Sequence, residues 1–247
     1  MPWTIPAMNH MARRLCAALL VVLLPGCALM QSALPVPEDF PVHGIDVSYF
    51  QGTVDWDAVR AGGVQFAWIK ATEGGDREDP SFVRNWAEAE RAGVLRGAYH
   101  FYYFCRSAAD QIAWFKTHVP VERGALPPVL DMEWNSTSPT CRKRPPKAEV
   151  HAAMREFLTE AERHYGKRPV IYTTVDFHRD VMDGAFTDYP VWVRSTAGHP
   201  SLRYGGRRWH FWQYTATGRV PGVSGNVDRN AFFGTAADWR KFVSAEN

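Results

Sequence analysis

The feature that most constrains the fold is an alternation of short apolar segments with amphipathic segments between residues 44 and 182. A short apolar run bounded by turn residues is typical of a buried strand, whereas apolar residues three and four apart are typical of a helix. The predicted strands are 44–48, 66–72, 96–102, 129–134 and 169–173, and the predicted helices are 54–61, 79–93, 107–119, 147–165 and 175–182. This pattern indicates βα units built around a parallel sheet.

The pattern changes in the last quarter of the chain. Segments 191–194, 208–214 and 227–232 look like strands, but their connections contain Gly and Pro and lack helical periodicity. Only 236–243 returns to a helical pattern. Five βα units followed by three strands supply the eight strands of a barrel. We therefore predict an α/β fold, a single irregular (β/α) TIM-like barrel with few helices in its second half.

The N-terminal residues predict export. Arg13 and Arg14 precede an apolar stretch, 15–24, that is too short to span a bilayer and is typical of a signal peptide. The next residues, Leu24-Pro-Gly-Cys27, resemble a bacterial lipobox, so that cleavage would expose Cys27 for lipidation. Plain secretion is the alternative.

These observations divide the chain into three parts. We expect a lipoprotein signal peptide at 1–26, the lipidated Cys27 with its tether at 27–40, and the barrel domain at 41–247. The protein would then be an exported lipoprotein anchored on the periplasmic side of a membrane or at the cell surface. Ala28, in place of an aspartate after the cysteine, favours the outer membrane.

The charge balance excludes one class of partner. The chain has 28 Lys and Arg residues against 26 Asp and Glu residues, and loss of Arg13 and Arg14 with the signal peptide leaves a formal net charge of zero. Such a chain has no bulk attraction to nucleic acid, because nucleic-acid binding depends on neutralising phosphates. We expect no nucleic-acid partner, membrane contact through the lipid on Cys27, and a monomer.

Two cysteines remain in the predicted folded region. Cys105 and Cys141 each follow a predicted strand, and two cysteines in an oxidising compartment predict one disulfide. A catalytic cysteine is the weaker interpretation, because no partner histidine is evident.

The segment Val129-Leu-Asp-Met-Glu-Trp134 is a predicted buried strand that contains two acids. Alternate strand residues point to the same side, so Asp131 and Glu133 would both face the barrel mouth. Bare acids are costly to bury, and neighbouring carboxylates raise one another's pKa. A protonated acid beside an ionised one can cleave a glycosidic bond, because the first donates a proton to the leaving oxygen and the second stabilises the positive charge on the sugar. A structural pair held by Arg or backbone donors is the alternative.

Two further acids are predicted at equivalent strand ends. Asp46 lies between Ile45 and Val47, and Asp228 follows Val227, each in a short predicted strand; the first and last strands are neighbours in a closed barrel. Acids gathered at one rim suggest a polar cleft. A metal site with His43 or His100 as a ligand is conceivable, but the pattern lacks a close histidine pair, so we predict no metal and no cofactor.

An ordered set of motifs resembles a known family, the family 25 glycoside hydrolases, or cellosyl-type and Chalaropsis-type lysozymes. The likeness covers about residues 42–245 and depends on the motifs' order. The motifs are Gly44-Ile-Asp-Val-Ser-Tyr-Phe-Gln-Gly52, Ile69-Lys-Ala-Thr-Glu-Gly74, Gly97-Ala-Tyr-His-Phe101, Leu130-Asp-Met-Glu133, Trp212-Gln-Tyr214 and Val227-Asp-Arg-Asn230. The resemblance implies a barrel with few helices in its second half. It also implies cleavage of the β-1,4 bond between N-acetylmuramic acid and N-acetylglucosamine in peptidoglycan.

The same resemblance implies roles for the acids. Glu133 is the expected general acid, and Asp131 is its partner, either as nucleophile or as orienter of the substrate's N-acetyl group. Asp46 and Asp228 match the family's other two site acids. A covalent route and a substrate-assisted route both stay open.

From the resemblance we also expect a set of sugar contacts, with simple packing as the alternative for each. They are Tyr102, Trp134, Tyr172, Trp192 and Gln213. The residue pattern does not decide which side of strand 96–102 faces the sugar. Lys70 and Glu73 are a candidate ion pair, either structural or in the site. Arg194 departs from the small or apolar residue of many relatives.

Two other functions remain open on the sequence alone. The first is a hexosaminidase acting on chitin-like glycans, and the second is a catalytically silent glycan-binding lipoprotein.

Overall fold

The computed structural model describes residues 1–3 and 34–245, and the folded unit begins at Leu34. The predicted signal-peptide cleavage site and Cys27 lie outside the described residues. No helix within the described ranges combines the length and the hydrophobicity needed to cross a membrane.

Nine strands form one sheet that closes on itself. Their order is β1-β9-β8-β7-β6-β5-β4-β2-β3, and β1 also pairs with β2. The two-residue β3 is an appendage of β2, so the other eight strands form the barrel. The strands are β1 His43–Val47, β2 Phe66–Glu73, β3 Arg77–Glu78, β4 Leu95–Phe101, β5 Val129–Met132, β6 Val170–Thr173, β7 Val191–Arg194, β8 Phe211–Gly218 and β9 Val227–Phe232. The predicted irregular barrel is confirmed.

The last strand runs against the others. From β1 through β2 and β4 to β8 the barrel neighbours are parallel, whereas β9 is antiparallel to both β8 and β1. A short connection leads from Gly218 to Val227 and no helix lies between them. A connection this short joins antiparallel neighbours, because a parallel crossover needs a dozen or more residues. The beginning of β9 therefore lies at the rim where the other strands end.

Helices cover the first half of the barrel. They are α1 Trp56–Ala61, α2 Phe82–Arg91, α3 Ala108–His118 and α4 Lys147–Tyr165, followed by the short α5 Val175–Phe177, which continues as a π turn to Met182, and the C-terminal α6 Ala236–Ala245. Alternate strand residues such as Leu130 and Met132 point outward and are fully buried against this layer. The helical layer thus follows the predicted βα units.

The second half of the barrel is covered without a helical layer. The outward residues Val191 and Val193 of β7 and Trp212 of β8 are buried in a cluster with Phe40, Tyr204 and Trp209. Tyr204 lies in the long β7–β8 connection, and its hydroxyl donates to the backbone carbonyls of Thr173 and Arg194. Large aromatic side chains in loops supply here the apolar area that a helix supplies elsewhere.

The barrel interior is filled below the rim by aromatic rings. Phe66 and Trp68 of β2 pack against each other and against Phe211 of β8. Their neighbours in register are Gly44 of β1 and Gly97 of β4. A Cβ on Gly97 would lie 2.2 Å from the Trp68 ring, and one on Gly44 would lie 2.5 Å from the Phe66 ring. Because these glycines lack side chains, the Phe66 and Trp68 rings can fill the barrel interior. The open space therefore lies at the rim.

Candidate active site

A cleft of about 380 Å³ opens where the strands end at the rim. All four predicted catalytic acids line it, and so do three of the five predicted sugar contacts. The lining residues are Asp46, Val47, Ser48, Phe50, Gln51, Lys70, Tyr99, Phe101, Asp131, Glu133, Tyr172, Trp192, Arg194, Gln213, Ala216 and Asp228. Acids distributed over β1, the end of β5 and the start of β9 are thus brought together by closure of the barrel.

Asp131 and Glu133, here called the β5 pair, occupy the end of β5 and the position just beyond it. Leu130 and Met132 alternate with them and point into the helical layer, as the sequence predicts. Asp131 is buried, and its Oδ1 has no hydrogen-bond partner within the described part of the chain. Neither carboxylate of the β5 pair is anchored by another described side chain, so both are free to act on a bound sugar.

The electrostatics of the β5 pair favour a retained proton. Burial raises the pKa of Asp131 well above its usual range, and the charge of Glu133 raises it further. Burial also raises the pKa of Glu133 to about 7, against the lowering effect of the Arg194 and Lys70 cations. Two carboxyls that disfavour each other's ionisation titrate as a unit. The β5 pair therefore holds one proton near neutral pH.

Asp46 and Asp228, here called the β1–β9 pair, face each other across two antiparallel strands. Burial and the charge of Asp228 raise the pKa of Asp46 to about 8. Burial likewise raises the pKa of Asp228, while Arg194 opposes the shift. Asp228 is the second residue of β9, and it reaches the rim because that strand is antiparallel. The sequence placed it at a strand end, and the structure places it at a strand beginning.

Asp46 is held by a chain of hydrogen bonds. Its Oδ2 accepts from Gln213 Nε2 at 2.9 Å and from Asn230 Nδ2 at 2.8 Å. The amide oxygens accept in turn, that of Gln213 from the Tyr172 hydroxyl at 3.0 Å and that of Asn230 from the Trp192 indole at 2.7 Å. Each amide is oriented by its aromatic donor, so both present N–H groups to Asp46.

The network explains the position of three predicted sugar contacts. Tyr172, Trp192 and Gln213 all line the cleft, and all three belong to the chain of bonds around Asp46. Asn230 is fully buried behind them, and the sequence motif that contains it predicts no role for it. A lone Asn in the short strand β9 is its only sequence signal.

Two predicted sugar contacts lie elsewhere. Tyr102 does not line the cleft but is buried behind β4, against His100, Phe104 and Phe157. The reason is alternation, since Tyr99 and Phe101 point into the cleft and the residues between and after them point outward.

Trp134 follows the same alternation. Glu133 points inward and Trp134 outward, where its ring contacts Phe104 and Phe177. Its indole N–H donates to Asp180 at 3.0 Å, and the Arg144 guanidinium lies 5.0 Å from the ring centroid. The alternation that places Asp131 and Glu133 in the cleft removes Trp134 from its lining.

Several cleft residues were not predicted as contacts. Lys70 lies inside the cleft, where its Nζ is 2.5 Å from Glu73 Oε2 and 4.8 Å from the Phe101 ring centroid. The candidate ion pair is therefore real, and its cation is part of the site. At the rim, Phe50 is 74% exposed and packs on Tyr49 with ring centroids 4.1 Å apart. An aromatic pair in the loop after β1 is the signal that could have identified this surface.

The predicted disulfide is confirmed. Cys105 and Cys141 are bonded, with their Cα atoms 5.9 Å apart, and they join the loop after β4 to the loop after β5. No group of three or more potential metal ligands occurs among the residues that the structure describes. His100 is instead hydrogen-bonded to the side chains of Thr72 and Gln111 in the core.

Comparisons with known proteins agree with this architecture. Residues 45–223 match the family described as glycosyl hydrolases family 25. Lysozyme M1 of Streptomyces globisporus is 38% identical over 208 residues, which are 79% of this chain and 69% of that protein.

Solved structures give the same result. A family 25 glycosyl hydrolase from Bacillus anthracis superposes with a TM-score of 0.76 at 32% identity, covering 83% of this chain and 94% of that one. A bacterial lysozyme from Streptomyces coelicolor gives a TM-score of 0.75 at 36% identity, covering 83% and 98%. The chain belongs to the family 25 glycosyl hydrolases. The predicted family and glycoside hydrolase activity are confirmed, and the family agrees with the predicted lysozyme function.

Proposed function

We propose that this glycoside hydrolase is a lysozyme that cleaves the bond between N-acetylmuramic acid and N-acetylglucosamine in peptidoglycan, with the β5 pair performing the chemistry. The supporting observation is that the buried Asp131 and the half-buried Glu133 lie side by side in the rim cleft of a family 25 barrel. The names of similar proteins, such as Lysozyme M1, point to the same substrate.

Glu133 is the general acid in this proposal. Its pKa is raised to about 7, so it holds a proton over part of the neutral range. It donates that proton to the glycosidic oxygen while the bond from this oxygen to the anomeric carbon breaks. In the second half of the reaction Glu133 takes a proton from the attacking water, which restores the starting state.

Asp131 stabilises the positive charge that develops on the sugar. It does so in one of two ways, either by attacking the anomeric carbon or by orienting the substrate's acetamido group, whose oxygen then attacks. Both routes need Asp131 ionised while Glu133 is protonated. The developing positive charge on the sugar favours this arrangement of the shared proton.

The remaining residues shape the site around the sugar. Asp46, fixed by Gln213 and Asn230, keeps its proton at neutral pH and presents a fixed carboxyl group below the reacting ring, and Asp228 faces it from β9. Tyr172 and Trp192 form an aromatic wall. Tyr99, Phe101 and Phe50 extend the apolar surface toward the rim.

Analysis of the new reducing ends tests the function. The full chain is incubated with purified sacculi, and the released fragments are reduced and identified by mass spectrometry. Reduced N-acetylmuramic acid at the ends is the expected product. Reduced N-acetylglucosamine would instead favour a hexosaminidase, and binding to sacculi without release would favour a silent glycan-binding protein. Glu149→Gln is a matched control, because Glu149 is exposed on α4 and outside the cleft lining.

We also propose that the chain is exported and anchored by lipid on Cys27, with residues 1–26 removed. The arginine pair, the short apolar stretch and the lipobox-like sequence support this proposal. Metabolic labelling with a fatty acid in a bacterial host should label the wild type but not Cys27→Ser. Labelling of both proteins, or of neither, would contradict the anchor, and secretion of unlabelled protein would favour plain export.

A further inference from the structure

A second cavity of about 370 Å³ adjoins the catalytic cleft on the β6–β7 side. Its charged lining residues are Arg179, Arg194, Arg203 and Asp176, and we call it the arginine pocket. Arg194, the last residue of β7, lines both the cleft and the arginine pocket. A ligand in the cleft can therefore extend into the pocket past one shared side chain.

Two of the three arginines of this pocket have no ion-pair partner among the described residues. Arg194 is half-buried, and its guanidinium has no hydrogen bond or ion pair with any residue in the described ranges. Arg203 is exposed and is likewise unpaired there. Arg179 contacts only its neighbour Asp180, which also accepts from Trp134.

One acid moderates the positive charge of the pocket. Asp176 accepts from the Thr174 hydroxyl at 2.7 Å and raises the pKa of Glu133 through its charge. With Asp180 paired to Arg179, three arginines stand against two aspartates, which still leaves an excess of one positive charge. A partly desolvated cation without a partner is unfavourable, and a carboxylate ligand would relieve that cost.

The chemistry of the substrate supplies such a ligand. The sugars of the glycan strand carry acetamido and hydroxyl groups, which are neutral and do not neutralise unpaired guanidinium groups. In peptidoglycan the N-acetylmuramic acid residue also bears a lactyl group to which an acidic peptide is attached. Arginine is the side chain best suited to such carboxylates, because its planar fork donates two parallel hydrogen bonds.

We propose that the arginine pocket binds carboxylates of the stem peptide on the muramic acid residue held in the cleft, and that it makes peptide-bearing strands the preferred substrate. This inference rests on the proposed lysozyme function. Arg179 and Arg203 are specificity determinants in this account, since they lie in the pocket but outside the lining of the catalytic cleft. Arg194 connects the two spaces.

Three soluble substrates separate charge from bulk. The first is glycan strands with uncross-linked stem peptides. In the second, carbodiimide and ammonia have converted the peptide carboxylates to amides. In the third, an amidase has removed the peptides. The wild-type chain should cleave the first with a kcat/KM about tenfold higher than the second and third, which corresponds to one well-formed charge-assisted contact.

The double variant Arg179→Gln/Arg203→Gln should lose most of this preference, mainly through a higher KM on the first substrate. The matched control is Arg208→Gln/Arg240→Gln, which removes the same charge from exposed positions before β8 and on α6. The control should keep the wild-type preference.

Two results would overturn the proposal. The first is equal wild-type rates on the peptide-bearing and amidated strands. The second is a double variant that keeps the preference or loses the same factor on all three substrates. Failure of the lysozyme function itself would look different, because the wild type would then cleave none of the three or would leave N-acetylglucosamine at the new reducing ends.

Discussion

The two carboxylate pairs at the rim of the barrel differ in how the protein holds them. Asp46 of the β1–β9 pair accepts two hydrogen bonds from amides that are themselves oriented by Tyr172 and Trp192. Within the described residues, the β5 pair has no comparable anchor, and one buried oxygen of Asp131 is without a partner. The protein thus satisfies hydrogen bonds of the β1–β9 pair with its own side chains, whereas the carboxylates of the β5 pair can still accept hydrogen bonds from the substrate.

This difference assigns two roles within one cleft, one of holding the sugar and one of transferring the proton. A carboxyl group held by two oriented amides provides a fixed polar surface for the sugar. An unanchored pair that shares a proton can donate it and can change charge as the bond breaks. We therefore expect substitutions in the β5 pair to affect the chemical step more strongly than substitutions around Asp46.

The largest effect should come from Glu133→Gln. The variant keeps the size of the side chain but has no proton to donate, so kcat on glycan strands should fall on the order of 10³-fold. Release of reducing ends from purified sacculi measures the loss. Glu149→Gln is the control and should match the wild type. Near-wild-type release by Glu133→Gln would remove this residue from the chemistry.

Asp131→Asn should follow, with kcat on glycan strands reduced roughly 10²-fold, because an amide cannot balance the developing positive charge. The same release assay measures it, with the circular dichroism spectrum as the check on folding. A loss confined to KM would show that Asp131 only binds the sugar, and the comparison between the two pairs would then fail.

Asp46→Asn should cost less, about tenfold in kcat/KM, because an amide oxygen can still accept from Gln213 and Asn230 as the protonated carboxyl does, and only the ability to ionise is lost. A loss as large as that of Asp131→Asn would contradict the assignment of a supporting role to this pair.

The stability of the same variant provides a second check. Because burial raises the pKa of Asp46 to about 8, its contribution to the free energy of unfolding is fully present below the unfolded pKa and is lost as pH rises through about 8. Asp46→Asn cannot ionise. Its melting temperature should therefore decline less than that of the wild type between pH 5 and pH 9. The difference between the two declines should be on the order of that expected from the proton linkage of one buried carboxyl.

The smallest effect should be a displaced pH profile in Arg194→Gln. The Arg194 cation lowers the pKa of Glu133, so its removal raises that pKa. A general acid works only while protonated, and the basic limb of kcat/KM should therefore move to higher pH. Peptide-free strands are the substrate, which keeps the arginine pocket out of the measurement. With Arg208→Gln as the control, an unmoved or lowered basic limb would contradict the electrostatic picture.

Much of the fold follows from local sequence pattern. The alternation of apolar and amphipathic segments predicts the first five barrel strands and their helices, and its disappearance predicts the helix-poor half. The pattern does not reveal that β9 is antiparallel, nor that Tyr204, Trp209 and Trp212 replace a helical layer. Those features depend on contacts between distant segments.

The candidate site was predictable to the same extent. Alternation along β5 places Asp131 and Glu133 in the cleft, and applied to Trp134 it would have placed that residue outside, whereas the side to which Tyr102 points is not decided by the pattern of its strand. The bonds from Gln213 and Asn230 to Asp46 join residues separated by 167 and 184 positions, so no local signal exists for them. The arginine pocket is formed by two rim loops, and no local sequence pattern predicts it either.

The dependence of Glu133→Gln on the leaving group tests the central claim most directly. The substrates are a glycan strand, whose departing sugar hydroxyl needs a proton, and an aryl β-glycoside whose 2,4-dinitrophenolate departs without one. Comparison of kcat/KM isolates the bond-breaking step. The account predicts a loss on the order of 10³-fold on the strand and less than about tenfold on the aryl glycoside. Equal losses on both substrates would contradict Glu133 as the general acid.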